Sequence, residues 1–214
     1  MYEEPEGTKL ALIMAAGELF AEYGIDGPGV RAIAEKAGVN IAAINYHFGS
    51  KENLFVETFR YVISHEKDVH AADFFKEAGK DISPYKASVL LYRYVKEKFN
   101  AHFSKKQPRW FNMLVMRAML DPSPSLQTLV EEVFRPEMDA FVSYIQKANS
   151  TISQEDAILL DFFLVGQIFF YALSRVPILM ALKKEDYDKA FIDRAADQIA
   201  RAMISRIGLP QPKE

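Results

Sequence analysis

With 214 residues and a hydrophobic content of 50%, the chain is long and apolar enough to bury a substantial core in one or two domains. Charged residues at 26% exclude a disordered chain, and the lack of any cysteine excludes a disulfide framework or a thiolate metal site. A net charge of −3 argues against coating nucleic acid by bulk charge, but it leaves room for a local DNA-facing surface built from a few donors.

The opening MYEEPEGTK is acidic and has no apolar centre, so no signal peptide is expected and a cytoplasmic location is. Thr8 is placed to cap a first helix whose positions Leu10, Ile13, Met14, Gly17 and Phe20 recur at three- and four-residue steps. EYGIDG stops that helix, with Gly24 suited to the left-handed position after it. A short second helix spans Val30 to Ala37 and ends at Gly38; a third runs from about Ile41 to His47. Ser50 then N-caps a long fourth helix with Leu54, Phe55, Phe59, Val62 and Ile63 on its inner face, fading near EAGKDISP.

Beyond Pro84, aromatic-rich helical segments cover roughly 84–104, 108–120, 124–149, 154–182 and 185–207, separated by KKQP, DPSP, NSTIS and LKKED. Pro136 and Pro177 lie inside two of them and should kink or interrupt the helix. The last segment has Glu185, Asp186 and Asp188 at its start and Arg201 and Arg206 near its end, matching the helix dipole. The stretch DFFLVGQIFFYALSR places only 13 residues between Asp161 and Arg175, with Gln167 among them; a membrane span needs about 20 apolar residues, so a buried helix is expected. No strand signal stands out, and the fold class expected is all-α. A boundary at 79–84 separates an N-terminal helix-turn-helix domain at 1–50, with a connecting helix and linker at 51–83, from a larger helical bundle at 84–214.

Val30 to Phe48 forms a unit: two short helices about a turn at Gly38, which supplies the positive φ. Ala34 is small where the helices cross, and Ile33, Val39 and Ile44 point inward. This is the spacing of a helix-turn-helix, whose second helix enters the major groove of DNA. The order AAGELFAEYGIDG, IAEKAGV, YHFGSKENLF, over about residues 8–60, resembles the TetR/AcrR family of bacterial transcriptional repressors. GVNIAAINYHFGSKE, with the later RAMLDPSP and RPEMDAF, resembles the branch carrying a CerR- or CecR-type C-terminal domain.

The resemblance implies roles for particular residues. Ala42 and Ala43 would let the third helix approach base edges and meet thymine methyls; Asn40 caps that helix and can also reach a phosphate. Ile41 shares a stripe with Ile44 and Phe48, yet the family often turns this position toward DNA, and both placements stay open. Tyr46 and His47 resemble an aromatic–histidine pair that donates to backbone phosphates. Lys51 opposes the dipole of the fourth helix, an unfavourable place for a cation unless an anion lies nearby. Arg31, and Thr8 with Lys9, are either flanking phosphate contacts or plain surface charge. The sequence departs from the family at GPGV, where Thr or Ser usually opens the second helix, so a phosphate there would rest on backbone N–H groups. It departs again at Asn45, where Tyr is common and an amide now faces a base or phosphate.

In the C-terminal part the resemblance implies a homodimer and a pocket for a small, largely apolar effector. Phe162, Gly166, Phe169, Phe170, Phe191, Ile199 and Met203 are expected at the dimer interface. Phe99, Phe103, Trp110, Phe111, Met113, Met116, Phe141 and Tyr171 would line the pocket, with Arg117 or Gln167 as polar anchor; a packed core with Arg117 in a salt bridge is the competing account. The function implied is a ligand-responsive repressor binding a palindromic operator. An enzyme is disfavoured: the four His lie at 47, 65, 70 and 102, HEKDVH spaces two of them five apart, and no phosphate loop, nucleophile elbow, metal cluster or cofactor motif is present. A helical protein-interaction module is the second alternative.

Overall fold

The computed structural model describes residues 5–64, 69–79, 82–103, 108, 110–120 and 124–213, and among these every regular element is helical. The all-α expectation therefore holds. Two compact units emerge, one of residues 1–67 with 106–134 and one of 68–105 with 135–214.

The first unit begins with α1 (Gly7–Tyr23), α2 (Val30–Ala37), α3 (Ala42–Phe48) and α4 (Lys51–Ser64). Helix α1 starts two residues earlier than expected, with Glu6 before it and no side-chain cap, so Thr8 lies inside the helix rather than capping it. Gly24 closes α1 at φ 77°, ψ 177°, a positive-φ conformation outside the left-handed helical region that only glycine adopts readily. Of the apolar stripe read from the sequence, Ile13, Gly17 and Phe20 are buried and Leu10 and Met14 half-buried, while Leu12 and Ala16 join the core with Ile33, Ala34, Ile44, Leu54, Phe55 and Phe59. The Phe20, Phe55 and Phe59 rings pack edge to face at 5.2 Å spacings. Ile63, expected on this inner face, has a side chain outside the described residues.

The same unit takes in α7 (Phe111–Leu120), α8 (Pro124–Leu129) and a π-helical turn at Val130–Phe134. The sequence reading had assigned these to the C-terminal bundle, and side-chain contacts explain the difference. The Trp110 ring lies directly over Gly17, where a Cβ would come within 2.3–2.6 Å of it. Arg117 donates from Nε to the Ala21 carbonyl (2.6 Å) and from Nη2 to the Glu22 carbonyl (2.5 Å), satisfying two acceptors at the C-terminal end of α1. Arg60 of α4 bridges to Glu57 and to Glu132 in the π turn.

The second unit holds α5 (Ala71–Phe74), a 3-10 turn at Phe75–Glu77, α6 (Pro84–His102), α9 (Arg135–Ala148), α10 (Gln154–Leu173), α11 (Arg175–Leu182) and α12 (Lys189–Arg206). Local chemistry sets the boundaries. Ser83 caps α6 ahead of Pro84, Ser153 caps α10 through Asp156 N (3.0 Å), and Asp188 caps α12 through Phe191 N (2.7 Å). Both internal prolines act as expected. Pro177 lacks the N–H that would bond Leu173, and α10 ends at Leu173. Pro136 would clash with the Glu132 carbonyl, and the turn that contains Glu132 is π-helical. Helices α6 and α12 pack along their lengths, burying Leu91, Tyr94 and Val95 with Ile192, Ala196, Ile199, Ala200 and Met203.

Candidate nucleic-acid interface

Helix α2 ends at Gly38, which is left-handed (φ 68°, ψ 29°); the Gly38 and Val39 N–H groups return to the Glu35 and Ala34 carbonyls at 3.0 Å each. That closed turn aims α3 away from α2. Asn40 Oδ1 accepts from Ala42 N at 2.8 Å, so the expected capping role is present, exercised one residue before the helical N-cap position. Ile44 and Phe48 hold α3 to the core, which leaves a continuous outer face. Ile41 is 48% exposed, so it sits outside the core, and Tyr46 is 85% exposed. Ala42, Asn45 and His47 are exposed beside them, and Ala43 is half-buried. The Tyr46 and His47 rings meet edge to face at 4.9 Å.

The end of α3 is fixed to the start of α4. Ser50 Oγ accepts from Asn53 N (3.1 Å), the N-cap expected from sequence, and Asn53 Nδ2 donates to the Phe48 carbonyl (2.9 Å). Asn53 was not singled out from sequence; an amide three residues past the cap serine was its only signal. Lys51 opens α4 half-buried and Arg31 is exposed on α2, neither with an ion-pair partner among the described residues. Lys9 stands 4.0 Å from Glu57, a weak, solvent-screened pair. No side chain caps α2 after Gly29, so its first-turn N–H groups keep no side-chain acceptor. The structure thus gathers Arg31, Asn40, Ile41, Ala42, Ala43, Asn45, Tyr46, His47 and Lys51 around one short helix and its flanks.

The residues expected to line an effector pocket are divided between the two units. Trp110, Phe111, Met113, Met116 and Arg117 belong to the first unit, and Phe99, Phe103, Phe141, Gln167 and Tyr171 to the second. Trp110 packs on Gly17 of α1 and Arg117 bonds to the Ala21 and Glu22 carbonyls; among the described residues Arg117 has no salt-bridge partner. Phe99 and Phe141 are fully buried in the second unit's core, and the Phe99 ring packs on Phe103 (4.9 Å) and Tyr171 (5.4 Å). Sequence reasoning also missed an ionic cluster in this unit. Glu137 takes His70 Nδ1 at 2.6 Å, Ala71 N at 3.0 Å and Lys98 Nζ at 3.3 Å. Burial alone would raise its carboxyl, but His70, Lys98 and the Ala71 N–H outweigh that and hold it at about 2. Nearby Asp161 of α10 has no such bonds among the described residues; burial pushes it up to about 6, against the pull of Lys98 and with the repulsion of Glu137.

Of the expected interface residues, Phe162, Gly166 and Phe170 lie exposed and Phe169 half-buried on α10, where Leu159, Phe163 and Leu173 extend the apolar face. Ile199 and Met203 are instead buried in the protomer's own core, because α12 spends that stripe on α6. Phe191 is half-buried against Tyr187 and Tyr171. Helix α10 is less buried than expected: its 20 residues are apolar enough to span a membrane by length and composition, yet only Ala157, Leu160, Leu164 and Ile168 are buried.

Comparison with known proteins agrees with this architecture. Residues 12–58 match the family described as bacterial regulatory proteins, tetR family, and residues 87–207 match the C-terminal domain of the HTH-type transcriptional dual regulator CecR. The Shigella flexneri HTH-type transcriptional dual regulator CecR is 26% identical over 187 residues, covering 82% of this chain and 80% of its own. The HTH-type transcriptional repressor AcnR of Corynebacterium glutamicum is 38% identical over 58 residues, 27% of this chain and 31% of its own. Among solved structures, NalD, the secondary repressor of the MexAB-OprM multidrug efflux pump in Pseudomonas aeruginosa, superposes with a TM-score of 0.64 at 18% identity, over 92% of this chain and 94% of that one. With its N-terminal helix-turn-helix and a C-terminal match spanning more than half of its length, the chain belongs to the TetR family of transcriptional regulators and carries a CecR-type C-terminal domain.

Proposed function

We propose that the protein is a ligand-responsive repressor that binds a palindromic operator as a homodimer, in the cytoplasm, through α3. The observation that carries this is the outer face of α3: exposed, free of acidic side chains, and flanked by Arg31 and Lys51, cations with no ion-pair partner among the described residues. Ile41, Ala42 and Ala43 bring a small apolar surface to the bases, and Asn45 offers an amide for a base or phosphate. Tyr46, His47, Lys51 and the first-turn N–H groups of α2 grip the backbone on either side. The apolar face of α10 supports dimerisation, since an exposed run of Leu159, Phe162, Phe163, Phe170 and Leu173 needs a covering surface. A second copy supplies one and pairs the two reading helices across a twofold axis. A small, largely apolar effector would shift the balance between protomer arrangements by its differential affinity for them.

Fluorescence anisotropy with DNA from beside the protein's own gene tests the assignment. Tight binding that falls about tenfold or more in Tyr46→Ala and Lys51→Ala, with the helical circular dichroism intact, is expected. With few cations at the interface, the salt dependence should be moderate. A slope typical of a polybasic binder would overturn these contacts, and a folded dimer with no DNA complex at any salt would favour a protein-interaction module.

A further inference from the structure

The first unit contains a half-open cavity of about 1010 Å³ bounded by α1, α3, α4, α8 and the π turn. Its apolar surface comes from Ile25, Phe48 and Val56, each buried in the unit yet lining the cavity. Its charge is unbalanced. Glu57 and Glu132 are neutralised by Arg60, with Lys9 4.0 Å from Glu57. Asp26 and Glu52 line the same space, exposed, and have no cationic partner among the described residues. Ser125 of α8 also lines the cavity; it is only 5% exposed, and its hydroxyl has no hydrogen-bond partner among the described residues. Buried polar groups are normally hydrogen-bonded, so an unmatched hydroxyl on a residue that lines a roomy cavity calls for a ligand atom or solvent.

We propose that this cavity binds a small amphipathic amine. Two unpaired carboxylates select an ammonium over a neutral or anionic head group, and Ser125 Oγ accepts one of its N–H bonds. The surface of Ile25, Phe48 and Val56 receives an apolar body. This site goes beyond the effector pocket expected in the C-terminal unit, and it has a direct route to DNA recognition. His47 lines the cavity with one side of the α3–α4 turn that also carries Lys51. An ammonium held beside that turn adds positive charge next to a phosphate-facing surface, so by linkage the amine and the operator favour each other.

The test is isothermal titration of the intact 214-residue chain with benzylamine at pH 7, without DNA, so that it stands independently of the operator assignment. Benzyl alcohol serves as the neutral counterpart. The expected result is one benzylamine bound per chain, with benzyl alcohol at least about tenfold weaker. Asp26→Asn combined with Glu52→Gln should weaken benzylamine about tenfold or more, and Ser125→Ala by severalfold. Asp26 and Glu52 are exposed, so the double variant is expected to fold even where Ser125→Ala does not, with circular dichroism as the check. No benzylamine binding, equal binding of benzyl alcohol, or undiminished binding by the folded double variant would overturn the proposal.

Discussion

At the scale of single residues, the interface divides into groups that position and groups that specify. In the proposed interface Lys51 and Tyr46 would address the backbone, whereas Asn45 would offer its amide to a base or a phosphate, and a base contact is the one that carries specificity. Asn45→Ala should therefore relax the preference at one base pair of each half-site, costing about 1–3 kcal/mol on the preferred sequence and little on others. Lys51→Ala should weaken all sequences alike and lower the salt slope by about one. Competition binding with singly substituted sites separates the two. The ionic cluster of the second unit makes a pH prediction. Glu137 is held at about 2 against an ordinary 4.5, so the unfolded chain binds more protons between those values. Its contribution is complete above pH 4.5 and is lost as the pH falls toward 2. Asp161 has the opposite sign: raised from 3.8 to about 6, it favours the folded state below that window and costs stability as the pH rises through it. Urea denaturation should find Asp161→Asn more stable than the parent at pH 7, by about 1–3 kcal/mol, with the gap closing below pH 4. An unchanged midpoint at pH 7 would show that Asp161 ionises without cost.

At the scale of elements, the short helices of the helix-turn-helix were legible because local rules agree there. Gly38 makes the turn, Ser50 caps α4, and Ile33, Ile44 and Phe48 take the inward positions. Pro136 and Pro177 announced the two interruptions for the same reason: a missing N–H acts within one helical turn. What was not legible depends on partners distant in sequence. Nothing within residues 110–120 reveals that Trp110 covers Gly17 or that Arg117 reaches the Ala21 and Glu22 carbonyls. An aromatic and Met-rich segment looks the same whether it lines a pocket or packs on a neighbouring helix. Likewise, Ile199 and Met203 share the periodicity of an interface stripe, and only the pairing of α12 with α6 shows that this stripe is spent inside the protomer. The α1–α7 contact has a direct check in Gly17→Ala. The new methyl would collide with the only tryptophan of the chain, so a loss of about 1–3 kcal/mol and a shifted tryptophan emission are expected. Unchanged emission and stability would place Trp110 elsewhere.

At the scale of the whole molecule, the exposed apolar face of α10 and the exposed face of α3 together make the case for a symmetric DNA reader. One protomer leaves Phe162 and Phe170 exposed on α10. Burying both rings in a twofold interface removes that cost, and an isologous contact presents two identical reading helices. Phe162→Glu with Phe170→Glu should yield a folded monomer by sedimentation velocity and abolish tight operator binding, because each half-site alone holds too few contacts. A dimer that persists in the double variant would move the interface away from α10. In vitro selection from random duplex DNA, read by sequencing, tests the central assignment most directly. Two inverted half-sites at a fixed spacing, enriched by the parent protein and lost with Lys51→Ala, are predicted; no enrichment, or a single unpaired motif, would contradict it.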